Sequence, residues 1–358
     1  MAPTSNSHQQ LRSRTGAEAA DQLRWMRRHR LMGVMDLLAK RGIMSAEARN
    51  MTQPLAKRYG RVAPRQLAME TKVVETMISG RVRALVLKGL LLAHSVYPEP
   101  EQRLRVDMDI LVPPQDLQSA RQLIHSIGYR PLYQSPGGTP IPQEAWVRDA
   151  DGYRHMIDVH WKLRNHPCLR DRLGFDEQWQ DRVPLPSLAE GACGQSAPHA
   201  LLNASMHWFD NVYSLNYPLV WILDKDLLWR SMDEDERQKT IALATDRGLA
   251  GLLAESLRLA RHHFETPVGE DTIATLDAAG RGRRPTRLIA LQNRRMRSWL
   301  YALHCEPGLN GKWHRLRHAL FPPAAYLRER YPEGSALGVA GLWGRRIKER
   351  LMGRRVNG

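Results

Sequence analysis

Cysteine is scarce: Cys168, Cys193 and Cys305 stand far apart among 358 residues and form no CxxC pair. That spacing argues against a disulfide framework or a cysteine-based structural zinc, and points to a reducing compartment. Long apolar runs are missing too, with nothing approaching the roughly 20 residues of a transmembrane helix. The first residues, MAPTSNSHQQLRSRTGAEAAD, contain no apolar segment of the secretory kind, so the expected location is cytoplasmic. Internal repeats are absent. Basic excess is absent from most of the chain: residues before Arg281 hold 35 Lys/Arg against 33 Asp/Glu, and those from Arg281 onward 18 against 4. The net charge of +16 therefore belongs to the C-terminal stretch. What that stretch touches is expected to be a separate question from what the upstream carboxylates do.

What is present fits a globular chain with a core of its own: 42% hydrophobic residues and a mean hydropathy of −0.48. Residues 1–18 are expected to be a disordered tail and 19–80 a set of N-terminal helices. The first follows the apolar spacing of Leu23 to Leu38, a second starts behind Ser45 as N-cap, and a third runs from about Pro64 to Ile78. Residues 81–165 alternate strand and helix. The expected elements are a strand at 84–88, a helix at 89–97, a strand at 106–112, a helix at 115–127 closed by Gly128 and a strand at 129–133. Two further strands flank the Asp151-Gly152 turn, the second running from Tyr153 to Trp161. Residues 166–197 read as an irregular linker, 198–280 as a helical domain and 281–358 as a basic helical region. The expected class is α+β: a small mixed β-sheet core with flanking helices, plus a helical C-terminal domain.

The most informative stretch is Val106-Asp107-Met108-Asp109-Ile110-Leu111-Val112. A strand alternates its faces, so Asp107 and Asp109 are expected on one side and Met108 on the other. Two carboxylates on one face of a buried strand repel and lose hydration unless a cation lies between them, and a divalent metal ion answers that need. Three other DxD sequences carry less. Asp224-x-Asp226 and Asp233-x-Asp235 fall in expected helices, where i and i+2 do not share a face, and Asp149-x-Asp151 runs into a turn.

Context strengthens the pair. Lys88-Gly89 lies at an expected strand-to-helix turn, where glycine admits a phosphate to the backbone and the helix start offers free N–H groups. Asp158 is a third carboxylate in an apolar strand, and three carboxylates from two strands can hold two divalent ions around a phosphoryl transfer. Arg103 and Arg105 stand just upstream, suited to triphosphate oxygens. His160 shares a face with Asp158 and is a candidate contact for acceptor or phosphate. His94 lies one turn into the phosphate-facing helix, and His207 is a weaker candidate in the helical half.

Together Lys88-Gly89, Arg103, Asp107-x-Asp109-Ile-Leu-Val, Gly128-Tyr129 and Ile157-Asp158-Val159-His160-Trp161 resemble the uncharacterised nucleotidyltransferase family of the DNA polymerase beta-type superfamily. The likeness is tight over 84–161 and looser over 65–335. In the looser part Leu201-Leu202, Met206-His207, Trp221 before Asp224, and Phe321 to Leu327 resemble the family's helices. The resemblance implies a nucleotidyltransferase core with Mg2+ held by Asp107, Asp109 and Asp158, two ions in number, Mn2+ being an alternative. It implies an NTP such as ATP at Lys88, Gly89, Arg103 and Arg105, its NMP passing to an acceptor hydroxyl with release of pyrophosphate. One departure is that the superfamily's usual Gly-Ser or Gly-Gly at the phosphate turn is here Lys-Gly. The acceptor is left open among carbohydrate, peptide or protein, and RNA.

Two rival readings rest on the basic region. RGRRPTR and RRMR, with Trp299, Trp313 and Trp343, could meet nucleic acid. Leu337 to Leu351 could dock on an acidic membrane surface or partner protein.

Overall fold

The computed structural model describes residues 46–132, 142–150, 152–210, 218–292, 294–321 and parts of 324–351, together with Arg30, Leu31 and Gly33. The expected tail, most of the first expected helix, Ser45, Tyr133, most of the 135–142 loop, Asp151 and Leu337 lie outside the described residues. A helix α1 (Ala46–Ser79) runs through both Pro54 and Pro64, so the start expected at Pro64 is not a boundary. Its C-terminal half buries Val73, Val74 and Met77 in the core, and such packing overrides the local cost of a proline.

From α1 the chain enters β1 (Leu85–Leu87), turns into α2 (Lys88–Ser95), and returns as β2 (Met108–Leu111). Helix α3 (Leu117–Ser126) ends as expected at Gly128, with φ +87°. There Gly128 N–H bonds the His125 carbonyl at 2.9 Å and Tyr129 N–H bonds that of Ile124 at 3.3 Å, a left-handed closure that glycine adopts without penalty. The strands β3 (Arg130–Pro131), β4 (Gln143–Ala150) and β5 (Tyr153–His160) follow.

The linker expected to be irregular adds two short strands, β6 (Val183–Pro184) and β7 (Cys193–Gly194). The sheet order is β3-β4-β5-β2-β1-β7-β6. Strand β2 lies at its centre, antiparallel to β1 and parallel to β5. A Cβ at Gly194 would fall 2.4 Å from Leu91 Cδ1 and 2.9 Å from Leu185 Cδ1, so a side chain there would force these two leucines to shift.

The helical half consists of α4 (Ala197–Asp210), α5 (Val220–Ser231), α6 (Glu234–Asp246), α7 (Ala250–Phe264) and α8 (Glu270–Gly280). Asp233 caps α6 in a capping box with Glu236. Then come α9 (Arg295–Cys305), α10 (Gly308–Leu320) and α11 (Val339–Leu351). One buried apolar cluster runs from Val73 through the sheet and the helices to Cys305. Among the described residues no helix is long and apolar enough to cross a membrane. Leu342 of α11 is buried against Leu327 and Tyr331, with Trp343 packed on that cluster, so apolar residues of the expected docking segment are used inside the chain. Trp313 is 62% exposed.

The sheet and helical half are joined by a buried ion pair. Arg103 donates from Nε and Nη2 to the two carboxylate oxygens of Asp224, each at 2.7 Å, and Tyr97 Oη donates to the same carboxylate at 2.9 Å. Removing one partner strands the other charge in the core. Arg103→Met and Asp224→Asn are each expected to cost about 3–5 kcal/mol, and Arg103→Met/Asp224→Leu less than the two together. Urea denaturation read by circular dichroism checks this. Single-variant losses no larger than those of surface substitutions would contradict the seam.

Candidate active site

The register of β2 and β5 places Asp109 beside Asp158 and Leu111 beside His160. Paired residues of neighbouring strands share a face, so both aspartates and His160 project from the same side, while Met108, Ile110, Ile157 and Val159 fill the other. Oδ1 of Asp109 accepts from Lys88 Nζ at 2.5 Å and contacts His160 Nε2 at 2.8 Å. Ligand atoms of Asp109, Asp158 and His160 all lie within 4.8 Å of one another.

Asp107 corrects the sequence expectation. Strand β2 begins at Met108 rather than Val106: its first ladder partner is Ile157 of β5, and β1 joins only from Leu87, opposite Asp109. Asp107 thus stands at the strand's entrance, outside the ladder. The turn differs as well. Lys88, rather than Gly89, takes a left-handed backbone, with φ +48°, a conformation costing an L side chain about 1–2 kcal/mol. Gly89 answers a need for space, since a Cβ there would lie 3.3 Å from Arg105 Cβ. The strained residue is the one whose ammonium reaches Asp109.

Charge is unevenly shared across the three carboxylates. Burial pushes the Asp109 carboxyl upward, but the Lys88 ammonium and the His160 hydrogen bond outweigh it and hold the group well below the usual range. Burial, then the negative charge of Asp109, raises Asp107. Burial, then Asp109 and Asp107, raises Asp158 to about 7. Burial followed by the Lys88 charge lowers His160 to about 4. The imidazole is therefore neutral near pH 7, with Nε2–H donated to Asp109.

Two cavities meet at this point, sharing Lys88, Asp107 and His207 in their walls. The first, of about 230 Å³, is walled also by Gly89, Asp109, Arg103, Arg105 and Arg30. The second, of about 390 Å³, contains Asp158. Lys88, Gly89, Asp107, Asp109 and Asp158 thus line these two cavities, and His160 stands behind Asp109.

Arg103 and Arg105 reach the first cavity while fully engaged. Arg103 holds Asp224, and Arg105 forms a two-pronged pair with the buried Glu70. His94 instead contacts Ser187 Oγ through Nδ1 at 3.0 Å and lines neither cavity. Sequence reasoning missed Arg30, assigned only to a buttressing helix, and Asn203 and Asp224 of the first cavity wall. Trp221 before Asp224 was the available signal for that wall. His207 packs edge-on against Trp221, ring centroids 4.4 Å apart.

A family model described as an uncharacterised nucleotidyltransferase matches residues 15–265. The chain belongs to this family. A comparison with curated proteins finds no match. The matched span contains the whole sheet of this nucleotidyltransferase and its helices α1 to α7, and ends before α8.

The donor set at the crossing point fits a divalent cation. Asp109 and Asp158 are adjacent hard oxygen donors, and His160 adds a neutral nitrogen. Nδ1 of His160 is buried without a hydrogen-bond partner among the described residues, while Nε2 is held by Asp109.

A carboxyl raised from 3.8 to about 7 binds its proton more tightly folded than unfolded, so its contribution to stability falls as pH rises from about 4 to about 7. Metal-free Asp158→Asn is therefore expected to melt several degrees above wild type at pH 8 and close to it at pH 4. Added Mg2+ or Mn2+ should raise the wild-type melting temperature and leave that of the variant nearly unchanged. Equal melting at pH 8, or equal response to the ions, would contradict the assigned charge state.

Proposed function

We propose that this nucleotidyltransferase transfers an NMP from an NTP to an acceptor hydroxyl and releases pyrophosphate. Asp109 and Asp158 would hold a divalent cation, Mg2+ foremost and Mn2+ as an alternative, and Asp107 would contribute to a second. The observation that carries this reading is the paired register of Asp109 and Asp158 on one face of adjacent strands, with Lys88 bonded to only one of them. When bound, the cation neutralises charge on the phosphate oxygens and favours the acceptor oxygen as a nucleophile.

The chain's own groups would divide the remaining work. Lys88, at the junction of the two cavities, would face the triphosphate of a nucleotide in the first cavity. Arg103 and Arg105 line it with guanidinium groups, and their pairing with Asp224 and Glu70 fixes where those groups lie. Arg30 adds to the same wall.

Asp158 belongs to the second cavity and would accept the acceptor's proton on a carboxylate oxygen as the new O–P bond forms and the bond to pyrophosphate breaks. His160 would keep Asp109 oriented through Nε2–H.

Incubation with each α-labelled NTP, Mg2+ and co-purified cell extract, followed by pyrophosphate release, tests the reading. Asp109→Asn and Asp158→Asn are each expected to lower turnover by about 10³-fold or more, and chelation to abolish it. Lys88→Met should raise KM for the NTP. Full activity in Asp109→Asn would sink the proposal.

A further inference from the structure

Residues lining the second cavity carry buried polar atoms with no partner among the described residues. His166 is 6% exposed. Its Nδ1 accepts the Cys168 backbone N–H at 3.3 Å, and its Nε2 has no partner. Burial lowers this imidazole to about 4, so the neutral ring carries its hydrogen on Nε2 and offers a buried donor. Beside it Asn165 Oδ1 is a buried acceptor without a partner. Asp210 adds carboxylate oxygens, and Arg315 adds N–H groups fixed by its bonds to Glu306 at 2.6 Å and to the Asn165 carbonyl at 3.2 Å. Trp299 of α9 contributes a half-buried indole to the same wall. The volume falls within the range of about 300–1,000 Å³ usual for small-molecule sites.

Donors and acceptors interleaved around one flat aromatic ring match a particular chemistry. A sugar hydroxyl both donates and accepts, and the C–H face of a pyranose covers an indole. An RNA backbone would bring its phosphates to a wall where Lys88, Arg164 and Arg315 are matched by Asp107, Asp158 and Asp210, with no excess of positive charge to hold it. A serine or threonine side chain offers one hydroxyl and would leave most of these buried groups unpaired, at a cost.

We propose that the second cavity is the acceptor site and that it takes a neutral carbohydrate, whose ring lies on Trp299 and whose hydroxyls meet Asn165, His166, Asp210 and Arg315. The acceptor role rests on the nucleotidyl-transfer reading. One sugar hydroxyl would then face Asp158, lose its proton there and bond to the α-phosphorus as pyrophosphate leaves. Trp299 and Arg315 lie beyond residues 15–265 and Asn165, His166 and Asp210 within them, so the site would combine the family's matched span with helices that follow it.

Saturation-transfer NMR on the full chain, with a panel of neutral hexoses and N-acetylhexosamines, a short oligoribonucleotide and a Ser/Thr peptide, tests the site without turnover. At least one sugar is expected to show ring C–H signals. Trp299→Ala should weaken that binding by about tenfold and Trp299→Phe much less, with the Kd for MgATP from a separate titration unchanged in both. The proposal is overturned if no sugar binds, if sugar binding is equal in Trp299→Ala, or if RNA or peptide gives the Trp299-dependent signal. Sugar binding without any NTP binding would keep the carbohydrate site and overturn its role as acceptor site.

Discussion

The contact on which this site depends is the ion pair between Lys88 and Asp109. Asp109 lies on the central strand with 4% exposure and next to Asp158 across the ladder. An ionised carboxylate in that position is untenable without a cation. Lys88 provides one by taking a left-handed backbone at the end of β1, and the strand-to-helix turn is built around that aim. The pair satisfies only one of the three carboxylates. Burial first, and then the neighbouring carboxylate charge, keep Asp107 and Asp158 raised, and the Lys88 charge only partly offsets this.

Around this centre, buried arginines act first as fasteners. Arg103 ties the β1–β2 connection to α5, Arg105 ties it to α1, and Glu306 gathers Arg170 and Arg315 so that α9 and α10 close over the linker. Each guanidinium gives up conformational freedom when the chain folds, so a charged substrate arriving later meets groups already in place. Such preorganisation makes a fixed charge more useful than a mobile one of the same sign. The same residues can therefore be structural pairs and cavity walls at once.

What was legible in the sequence was local. Alternation placed Asp109, Asp158 and His160 on one face, Gly128 marked a helix end, and the apolar runs gave β1, β2 and β5. The errors came from non-local causes. Asp107 lies outside the strand, β1 ending at Leu87, two residues short of a partner for it, and nothing in residues 106–112 records the length of β1. The proline at 64 does not break α1 because buried side chains further along hold the helix. Strands β6 and β7 have two residues each, too few for any periodicity. The positive φ falls on Lys88 because that residue must reach Asp109, although the adjacent glycine is the more permissive.

Charge bookkeeping along the sequence misled in one further respect. The basic C-terminal region looked separable from the carboxylates because almost all the net charge lies after Arg281. In space its helices come back to them: Trp299, Ala302 and Arg315 wall the cavity that contains Asp158. Arg315 is neutralised by Glu306 on arrival, so what the region brings to the site is shape and hydrogen bonds rather than net charge. Sheet and carboxylates belong to the family's matched span, while part of the second cavity's wall does not. Among the described residues the two parts meet through the Glu306 pairs, through Arg315 on the Asn165 carbonyl and through Tyr301 beside His166, so α9 and α10 reach the carboxylate cavity without entering the sheet.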